Sequence, residues 1–452
     1  MASIFPNVPG TGNNIPVSTY TAGISESYPN VNRQRVVESS INSKERIDIY
    51  PINMGINQNI NDKYLEFRIN QSTGSFIDLS SLVLEMNINI TKADNTPLED
   101  TVNLNLINGV SNTLFKTATV FINDKMVESN PLFNYTSYIK MLKTINNDNL
   151  SSLGKCAYFY NDENTIGISK HYVAGTFTAA GTIEGKLSKE LKTHGIDVCF
   201  PLLLDISSLE MYLLDGIDIR IRLEMANKST IINSSNNDIS DITFHISKAR
   251  LWLDRVIPHY NAMLALNQAL AIKPIEYIFQ KTLHKSYVIS AGQSTTMIDN
   301  PFGMVIPEKL TMLLINMDNY SGRANLNNLY FEHHNISNIH MTINGSTIYN
   351  INSDFEGNNY TQLYYETLKA IGLDSNHMIT YDSYKSGRSI FVFNFINEPV
   401  GETLPIETNA SLRINLKFSQ NLPSSLIILL FAETTGLLSI DNQRVINCDV
   451  RG

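Results

Sequence analysis

Residues that could perform chemistry are few in this sequence, and the densest group lies in EHHNISNIH at residues 332–340. It holds Glu332, His333, His334 and His340, all of which belong to residue types that bind zinc. The surrounding pattern predicts a strand, in which successive side chains point to opposite faces. His333 and His334 then cannot both reach one ion without a bulge, and we expect no metal site here.

Three aspartates, Asp205, Asp215 and Asp218, lie close together in the segment LLLDISSLEMYLLDGIDI. Paired carboxylates can hydrolyse glycosides when they flank one cleft. Aspartates beside turn residues also accept hydrogen bonds from the backbone N–H groups of the turn. We expect these three to cap turns and not to catalyse a reaction.

The segment GTIEGKLS at residues 181–188 is one residue shorter than the phosphate-binding pattern G-x-x-x-x-G-K-[ST], and no apolar strand precedes it. We predict a surface loop. The patterns G-x-S-x-G, H-E-x-x-H and D-x-[DN]-x-[DN]-G are also missing. We therefore predict no catalytic, cofactor-binding or metal-binding residue, no cofactor and no enzymatic activity.

Aromatic residues could instead form a binding platform. Trp252 is the only tryptophan and alternates with Leu251 and Leu253 in a predicted strand, which indicates a packing role. The segment YTQLYYETL at residues 360–368 could expose a row of aromatic rings. A similar segment occurs in the first half of the chain, and this repetition favours a structural element shared by both halves.

Composition limits the classes of protein that fit. The chain has 452 residues, of which 43% are hydrophobic and 17% charged, as in well-packed globular proteins. Heavy use of Asn, Ile, Thr and Ser favours strands joined by polar turns. The net charge of -9, without a block of like charges, argues against non-specific binding of nucleic acid, and we predict no sequence-specific binding. A few basic residues in the first 46 residues leave open a weak contact with a genome, although the acidic residues among them favour a solvated arm.

The expected location follows from the cysteines and the apolar runs. Three widely spaced cysteines, Cys156, Cys199 and Cys448, indicate reduced thiols in a reducing compartment. The beginning MASIFPNVPGTGNN lacks the features of a signal peptide. Glu433 interrupts the longest apolar run before it could cross a bilayer. We predict a soluble, intracellular product with no transmembrane segment.

The elements that must position these residues are mostly strands. Residues 1–45 show no sustained period and are predicted to form an extended arm. Alternating segments then predict strands, interrupted by short helices for which Thr136 and Thr361 are the predicted N-caps. The uncharged segment HYNAMLALNQALAI at residues 259–272 predicts a helix that joins the two halves.

Five segments recur in the same order in the two halves, which indicates an internal duplication. The pairs are SLVLEMNINI and KLTMLLINMD, ATVFINDKMVES and IHMTINGSTIYN, FNYTSYIKMLKT and NNYTQLYYETLKA, IDIRIRLEM and ASLRINLKF, and the closing strands ITFHISKARLWLDRVI and SSLIILLFAETTGLLSI. Each copy has about eight strand-like segments, the number in a jelly roll. We predict an all-β chain with an arm (1–45), an eight-stranded antiparallel jelly roll (46–258), a helical connector (259–272) and a second jelly roll with the C-terminal tail (273–452).

The segment PLLLDISSLEMYLLDGIDIRIRLEM at residues 201–225 resembles the P-L-x-L-D segment of major capsid proteins of the Polinton (Maverick) and adintovirus type. Four further segments are similar to the same family in order, and the resemblance extends over roughly residues 60–445. These segments lie at residues 109–127, 300–322, 328–348 and 409–433. The chain differs from the family pattern mainly in a long excursion between Asn149 and Lys192.

The resemblance implies a double jelly-roll major capsid protein of a eukaryotic double-stranded DNA virus or virus-like element. It implies a homotrimer with six jelly rolls around its axis, which forms a pseudo-hexagonal capsomer in an icosahedral capsid. Neighbouring capsomers, penton proteins and minor capsid proteins are the expected partners, and the virion is the expected location. We expect the arm to lie on the inner face of the shell and to act in shell assembly.

Two alternatives stay open. One is another virion protein with the jelly-roll fold, such as a penton or a spike, although a penton usually has one jelly roll per chain. The other is a carbohydrate-binding or carbohydrate-active β-sandwich protein. That alternative requires carboxylates or aromatic rings that converge on one cleft, and the sequence shows no such cluster.

Overall fold

The computed structural model describes residues 40–53, 64–70, 73–164, 167–179, 182–373, 377–395 and 410–449. Most of the predicted arm, residues 1–39, lies outside the described residues. The first strand covers Ile41–Ile49 and so begins within the last residues assigned to the arm. This edge strand carries few apolar residues, and its weak alternation concealed it in the sequence.

The first half contains two four-stranded antiparallel sheets. Their orders are β1-β12-β3-β9 and β2-β10-β5-β6, and β4-β11 and β7-β8 form small two-stranded additions. The strands are β1 Ile41–Ile49, β2 Tyr64–Asn70, β3 Phe76–Lys92, β4 Leu104–Leu106, β5 Phe115–Ile122, β6 Lys125–Asn130, β7 Glu163–Asn164, β8 Gly167–Ile168, β9 Ile196–Pro201, β10 Asp218–Met225, β11 Ile232–Ser234 and β12 Ile242–Pro258.

The second half repeats the arrangement. Its sheets have the orders β13-β20-β15-β18, with β21 also paired to β20, and β14-β19-β16-β17. The strands are β13 Ile275–Ile289, β14 Thr295–Asp299, β15 Lys309–Asn316, β16 Ile336–Ile343, β17 Ser346–Asn352, β18 Ile390–Asn394, β19 Leu412–Phe418, β20 Leu426–Ile440 and β21 Ile446–Asp449. Eight strands in the two main sheets of each half form an antiparallel jelly roll, as predicted, and β21 is a ninth strand added to the second jelly roll.

The predicted internal repeat is confirmed by the topology. The five repeated segments occupy equivalent places: β3 and β15, the hairpins β5-β6 and β16-β17, the helices after them, β10 and β19, and β12 and β20. Both hairpins turn through two residues with positive φ. These are Asn123 and Asp124 in the first half and Asn344 and Gly345 in the second, as type I′ turns require.

The helices are α1 Val110–Thr113, α2 Phe133–Thr144, α3 Ile183–His194, α4 Lys228–Ile231, α5 Tyr260–Leu270, α6 Met317–Tyr320, α7 Thr361–Ile371 and α8 Tyr381–Lys385. A π-helical turn covers Leu150–Gly154, and a 3₁₀ turn covers Ile206–Ser208. The predicted connector is confirmed as α5, and only Leu270 of this helix is buried.

The predicted N-caps are wrong. Helix α2 begins at Phe133, three residues before Thr136, because Asn130 forms the turn that starts it. The Asn130 side chain accepts the N–H of Leu132 at 3.0 Å and donates to the Thr136 hydroxyl at 2.8 Å. Helix α7 begins at Thr361 itself, so this threonine lies one residue inside the helix.

The loop predicted at residues 181–188 is also wrong, because residues 183–188 belong to helix α3. Thr182 is its N-cap and accepts the N–H of Gly185 at 3.1 Å. The Ser188 side chain is buried and donates to the carbonyl of Leu104. The helix packs against β3 and β4, which is the environment of a structural helix and not of a phosphate loop.

The core follows the predicted alternation. In β10, Ile219, Ile221 and Leu223 are fully buried, while Arg220 and Arg222 between them are partly exposed. Nearly all of the buried apolar residues of both jelly rolls belong to one continuous cluster. The two jelly rolls are therefore packed against each other and are not separate bodies on a flexible linker.

Candidate functional site: the junction between the two jelly rolls

The buried charges of the chain concentrate where the two jelly rolls meet. Asp205 lies before the 3₁₀ turn in the first jelly roll and is almost fully buried. Its carboxylate accepts hydrogen bonds from the N–H of Thr282 at 2.7 Å and from the Thr282 hydroxyl at 3.0 Å. The ammonium of Lys140 on α2 donates to the same carboxylate at 2.8 Å.

Glu128 on β6 completes this cluster. It accepts the backbone N–H groups of Asp205 at 2.9 Å and Ile206 at 3.0 Å. Burial, together with the charge of Asp205, raises the pKa of Glu128 to about 8. Burial alone would lower the pKa of Lys140, but the attraction of Asp205 outweighs it and raises that pKa. The cluster thus holds an ion pair beside a carboxyl that favours its neutral form.

A second ion pair crosses the junction between Glu433 on β20 and Lys143 on α2. Glu433 accepts hydrogen bonds from Lys143 of α2 at 3.1 Å and from Gln280 of β13 at 2.9 Å, and Lys309 lies 3.8 Å away. Burial would raise the pKa of Glu433, yet the two lysines lower it. Glu433 therefore contributes a fixed negative charge that holds α2 of the first jelly roll against the second.

Asp215 binds the C-terminal part of the chain. It accepts a hydrogen bond from the guanidinium of Arg444, whose Nε also donates to the Asp215 carbonyl at 2.7 Å. The N–H of Gly74 donates to the other carboxylate oxygen at 2.9 Å. Close by, Tyr277 of β13 accepts the N–H of Leu214 at 3.2 Å.

The three predicted turn-capping aspartates therefore have different roles. Asp205 and Asp215 bind residues of the second jelly roll, and Asp205 makes no side-chain hydrogen bond to the 3₁₀ turn that follows it. Asp218 forms an ion pair at 2.9 Å with Arg68 on the neighbouring strand. Among the described residues no two of these aspartates share a partner, which is unlike the carboxylate pair of a glycosidase.

The excursion after α2 crosses to the second jelly roll. At this contact, Arg388 of the second jelly roll is completely buried and donates to Asp162 of the excursion at 2.7 Å. Glu163 lies 3.9 Å from the guanidinium and accepts the Thr380 hydroxyl at 2.9 Å. Burial would lower the pKa of Arg388, but Tyr138 and the two acidic residues raise it.

Backbone hydrogen bonds and aromatic rings extend this contact. The N–H of Tyr172 donates to Asn325 at 3.0 Å. On α2, the ring of Tyr135 stacks on Tyr320 with centroids 6.0 Å apart, and Tyr138 packs against Phe331 at 6.1 Å. Helix α2 thus has a structural role at the junction.

Helix α7, the counterpart of α2, packs within its own jelly roll. Tyr360 stacks on Tyr381 with ring centroids 4.5 Å apart, and Tyr364 meets the edge of Tyr384 at 5.2 Å. Tyr384 is completely buried. These rings form a hydrophobic cluster and not an open binding platform, in line with the structural role predicted for both helices.

The histidine segment differs from the sequence-based expectation, because His333 and His334 precede β16 and lie in a turn. His334 has a positive φ of 46°, and the ring of His333 stacks on Phe355 at 4.0 Å. Burial lowers the pKa of both histidines to about 4. His340 contacts the Thr347 hydroxyl at 3.1 Å. Within the described ranges, no three His, Cys, Asp or Glu residues are grouped as metal ligands would be.

The remaining predicted residues also have structural surroundings. Trp252 packs under the guanidinium of Arg46, which lies 3.9 Å from the ring centroid. Among the described residues, no disulfide joins Cys156, Cys199 and Cys448. No helix in the described ranges is both long and apolar enough to cross a membrane.

Known structures share this arrangement, although no protein-family model and no curated protein matches the sequence. VP54 of PBCV-1, fitted into a reconstruction of the virophage Sputnik, is 11% identical, covers 93% of this chain and 99% of its own, and gives a TM-score of 0.60. A chain of the cryo-EM structure of the Sputnik virophage is 14% identical, and the match covers 100% of this chain and 95% of that one, with a TM-score of 0.56. The Faustovirus major capsid protein is 9% identical, and the match covers 91% of this chain and 93% of that one, with a TM-score of 0.56.

The fold is the double jelly roll of viral major capsid proteins. At these identities the likeness concerns the fold, and it extends over nearly the whole chain. In this double jelly roll, sequence reasoning missed Glu128, Arg388 and Arg444 as junction residues. Glu128 follows Val127, and Arg388 lies two residues before the apolar segment IFVF, which is a weak signal of burial, but their partners are distant in sequence.

Proposed function

We propose that the chain is the major capsid protein of a double-stranded DNA virus or virus-like element. Three copies form a pseudo-hexagonal homotrimer, and these trimers tile an icosahedral shell around the genome. The observation that carries this proposal is the fusion of two equivalent jelly rolls through a buried, charged junction. The role is structural, and no enzymatic activity is proposed.

The junction supports a rigid building block. Asp205 with Thr282, Glu433 with Lys143, and Arg388 with Asp162 fix the second jelly roll against the first from several directions. Because Glu433 and Arg388 have charged partners across the junction, a change in the angle between the jelly rolls would leave buried charges without these partners. A chain with one fixed angle can present two similar units to each neighbour, as a lattice requires.

Symmetry supports the trimer. Three chains around a threefold axis place six similar jelly rolls in a ring, which gives a nearly hexagonal outline from only one kind of subunit. Obligate oligomers of this kind bury large and partly apolar interfaces. The proposed partners are further copies of this chain, neighbouring capsomers, and penton and minor capsid proteins, and the proposed location is the virion.

The alternatives fit less well. A penton or spike occupies a fivefold vertex, where one jelly roll per chain would suffice. A carbohydrate-binding protein needs convergent carboxylates or rings, whereas Asp205, Asp215 and Asp218 have separate partners and the rings around Tyr384 are packed inward.

Negative-stain electron microscopy of the purified protein tests the proposal. Class averages should show a hexagonal outline with threefold symmetry, and closed shells should form at higher concentration. Five-membered rings would favour the penton, and isolated two-lobed particles at all concentrations would contradict a capsid role.

A further inference from the structure

A groove runs between two strand edges on either side of the junction. It has a volume of about 550 Å³, within the range of about 300–1,000 Å³ found for ligand sites. One wall is β6, the last strand of its sheet, and the other is β13, the first strand of its own. Phe302 and Gly303 lie at the groove as well.

The lining shows that the groove follows the edge of β13 and not one of its faces. Five consecutive residues, 281–285, line it, although neighbouring side chains of a strand point to opposite faces. Only a groove beside the strand can touch all five. On the opposite wall, Met126, Val127 and Ser129 of β6 contribute in the same way.

The edge of β13 offers unused hydrogen-bonding groups. The N–H groups of Gln280 and Thr282 point away from β20, because they donate to Ser208 and Asp205. β13 pairs with β20 without a register shift from Ile275 to Ile289. The N–H and C=O groups of the even-numbered residues 284, 286 and 288 therefore also point outward, and among the described residues none of these N–H groups has a partner.

The groove is also positively charged. Lys281 and Lys285 line it, and none of the described Asp or Glu residues does, in a chain whose net charge is -9. Neither ammonium forms an ion pair with a described residue. The buried carboxylate behind the wall, Asp205, is already neutralised by Lys140. The Nδ1 atom of His284 is buried and lacks a partner within the described ranges.

We propose that this groove binds an extended acidic segment of another polypeptide, which pairs as an added strand with the open edge of β13 at residues 284–288. Main-chain hydrogen bonds supply the affinity in such strand addition, and side-chain contacts supply the preference. Here the preference is for carboxylates opposite Lys281 and Lys285. Burial lowers the pKa of Lys281, which shows that this ammonium is partly desolvated and would gain from a counter-charge.

The experiment measures binding of three labelled hexapeptide probes to the full chain by fluorescence anisotropy at low salt. One probe alternates Glu and Val, the second alternates Lys and Val, and the third is the acidic probe with proline at the central positions. Proline cannot donate to a strand ladder. The acidic probe should bind at least tenfold more tightly than the other two.

Two charge variants separate the groove from the general surface. K281Q/K285Q should weaken binding of the acidic probe at least tenfold, whereas K186Q/K189Q, on the exposed face of α3, should leave it unchanged. Thermal melts of both variants verify that they fold. Lysines on the open edge of a sheet can also serve only to prevent uncontrolled strand pairing. Equal binding of all three probes, no binding of any probe, or unchanged binding by K281Q/K285Q would support this protective role and overturn the proposal.

Hydrogen exchange provides the readout that depends on strand pairing. Saturation with the acidic probe should slow exchange at least tenfold at the amides of residues 284, 286 and 288. Binding that leaves these amides unchanged would mean that the probe contacts the lysines alone, and the added strand would be refuted.

Discussion

Arg388 of the second jelly roll is completely buried and donates a 2.7 Å hydrogen bond to Asp162, which lies 226 residues earlier in the excursion of the first. A buried charge is tolerated only with a partner, because its transfer from water is costly. The pair therefore makes the stability of each jelly roll depend on the position of the other.

Removing one partner should destabilise the whole chain. Arg388→Met keeps much of the side-chain volume but leaves Asp162 without its guanidinium, and we expect a loss of about 3–5 kcal/mol in the free energy of unfolding. Urea denaturation measures it. The matched control is Arg413→Met, which breaks the exposed ion pair with Asp299 and should change the stability far less. Equal effects of the two substitutions would show that Arg388 does not hold the junction.

Glu128 should make stability depend on pH. Its pKa is raised from 4.5 to about 8 in the folded chain, so the native state binds the proton more tightly than the unfolded state. Its contribution is complete below about pH 4.5 and is lost as the pH rises through about 8. Relative to Glu128→Gln, the native chain should lose up to about 1.4 kcal/mol per pH unit between pH 5 and 8.

Urea denaturation at pH 5, 6, 7 and 8 measures this difference. Asp205 and Lys140 face Glu128 in the cluster, so both must stay unchanged in the variant. Glu99→Gln at the exposed surface is the control for the substitution itself. A stability difference between Glu128→Gln and the native chain that is the same at every pH would contradict the assignment.

Gly387 should be intolerant of a side chain. Its φ is 105°, and an added Cβ would lie 2.7 Å from Cβ of Ile168 in the first jelly roll and 2.8 Å from the ring of Tyr330. Gly372 has a similar φ of 113° but open space around it. Gly387→Ala should therefore lower the melting temperature more than Gly372→Ala, which reports backbone strain alone at about 1–2 kcal/mol. Similar melting temperatures would mean that the excursion is not packed at this position.

The sequence was sufficient for the fold but not for the junction. Alternation of apolar residues in β10, the two-residue turns at Asn123 and Asn344, and the repeated segments all reflect local or periodic rules, and each was predicted correctly. The partners of Asp205, Glu433 and Arg388 were not predictable. Hydrogen bonds between residues far apart in sequence depend on how the jelly rolls pack, and no local pattern encodes that.

The segment that starts the chain gives a prediction about assembly. Deleting residues 1–39, which precede the first described strand, should leave the trimer intact, because the described strands and the junction lie outside it. Closed shells should form poorly or not at all, since we propose that this segment acts between capsomers. Light scattering and electron microscopy of the same sample measure both. Normal shells from the shortened chain would contradict this role.

The mass of the purified full-length chain in solution tests the central claim most directly. Size-exclusion chromatography with multi-angle light scattering should give about 150 kDa, three chains of 50.8 kDa each, with no monomer at micromolar concentration. A stable species of 50.8 kDa that persists at all concentrations would contradict the proposed capsomer.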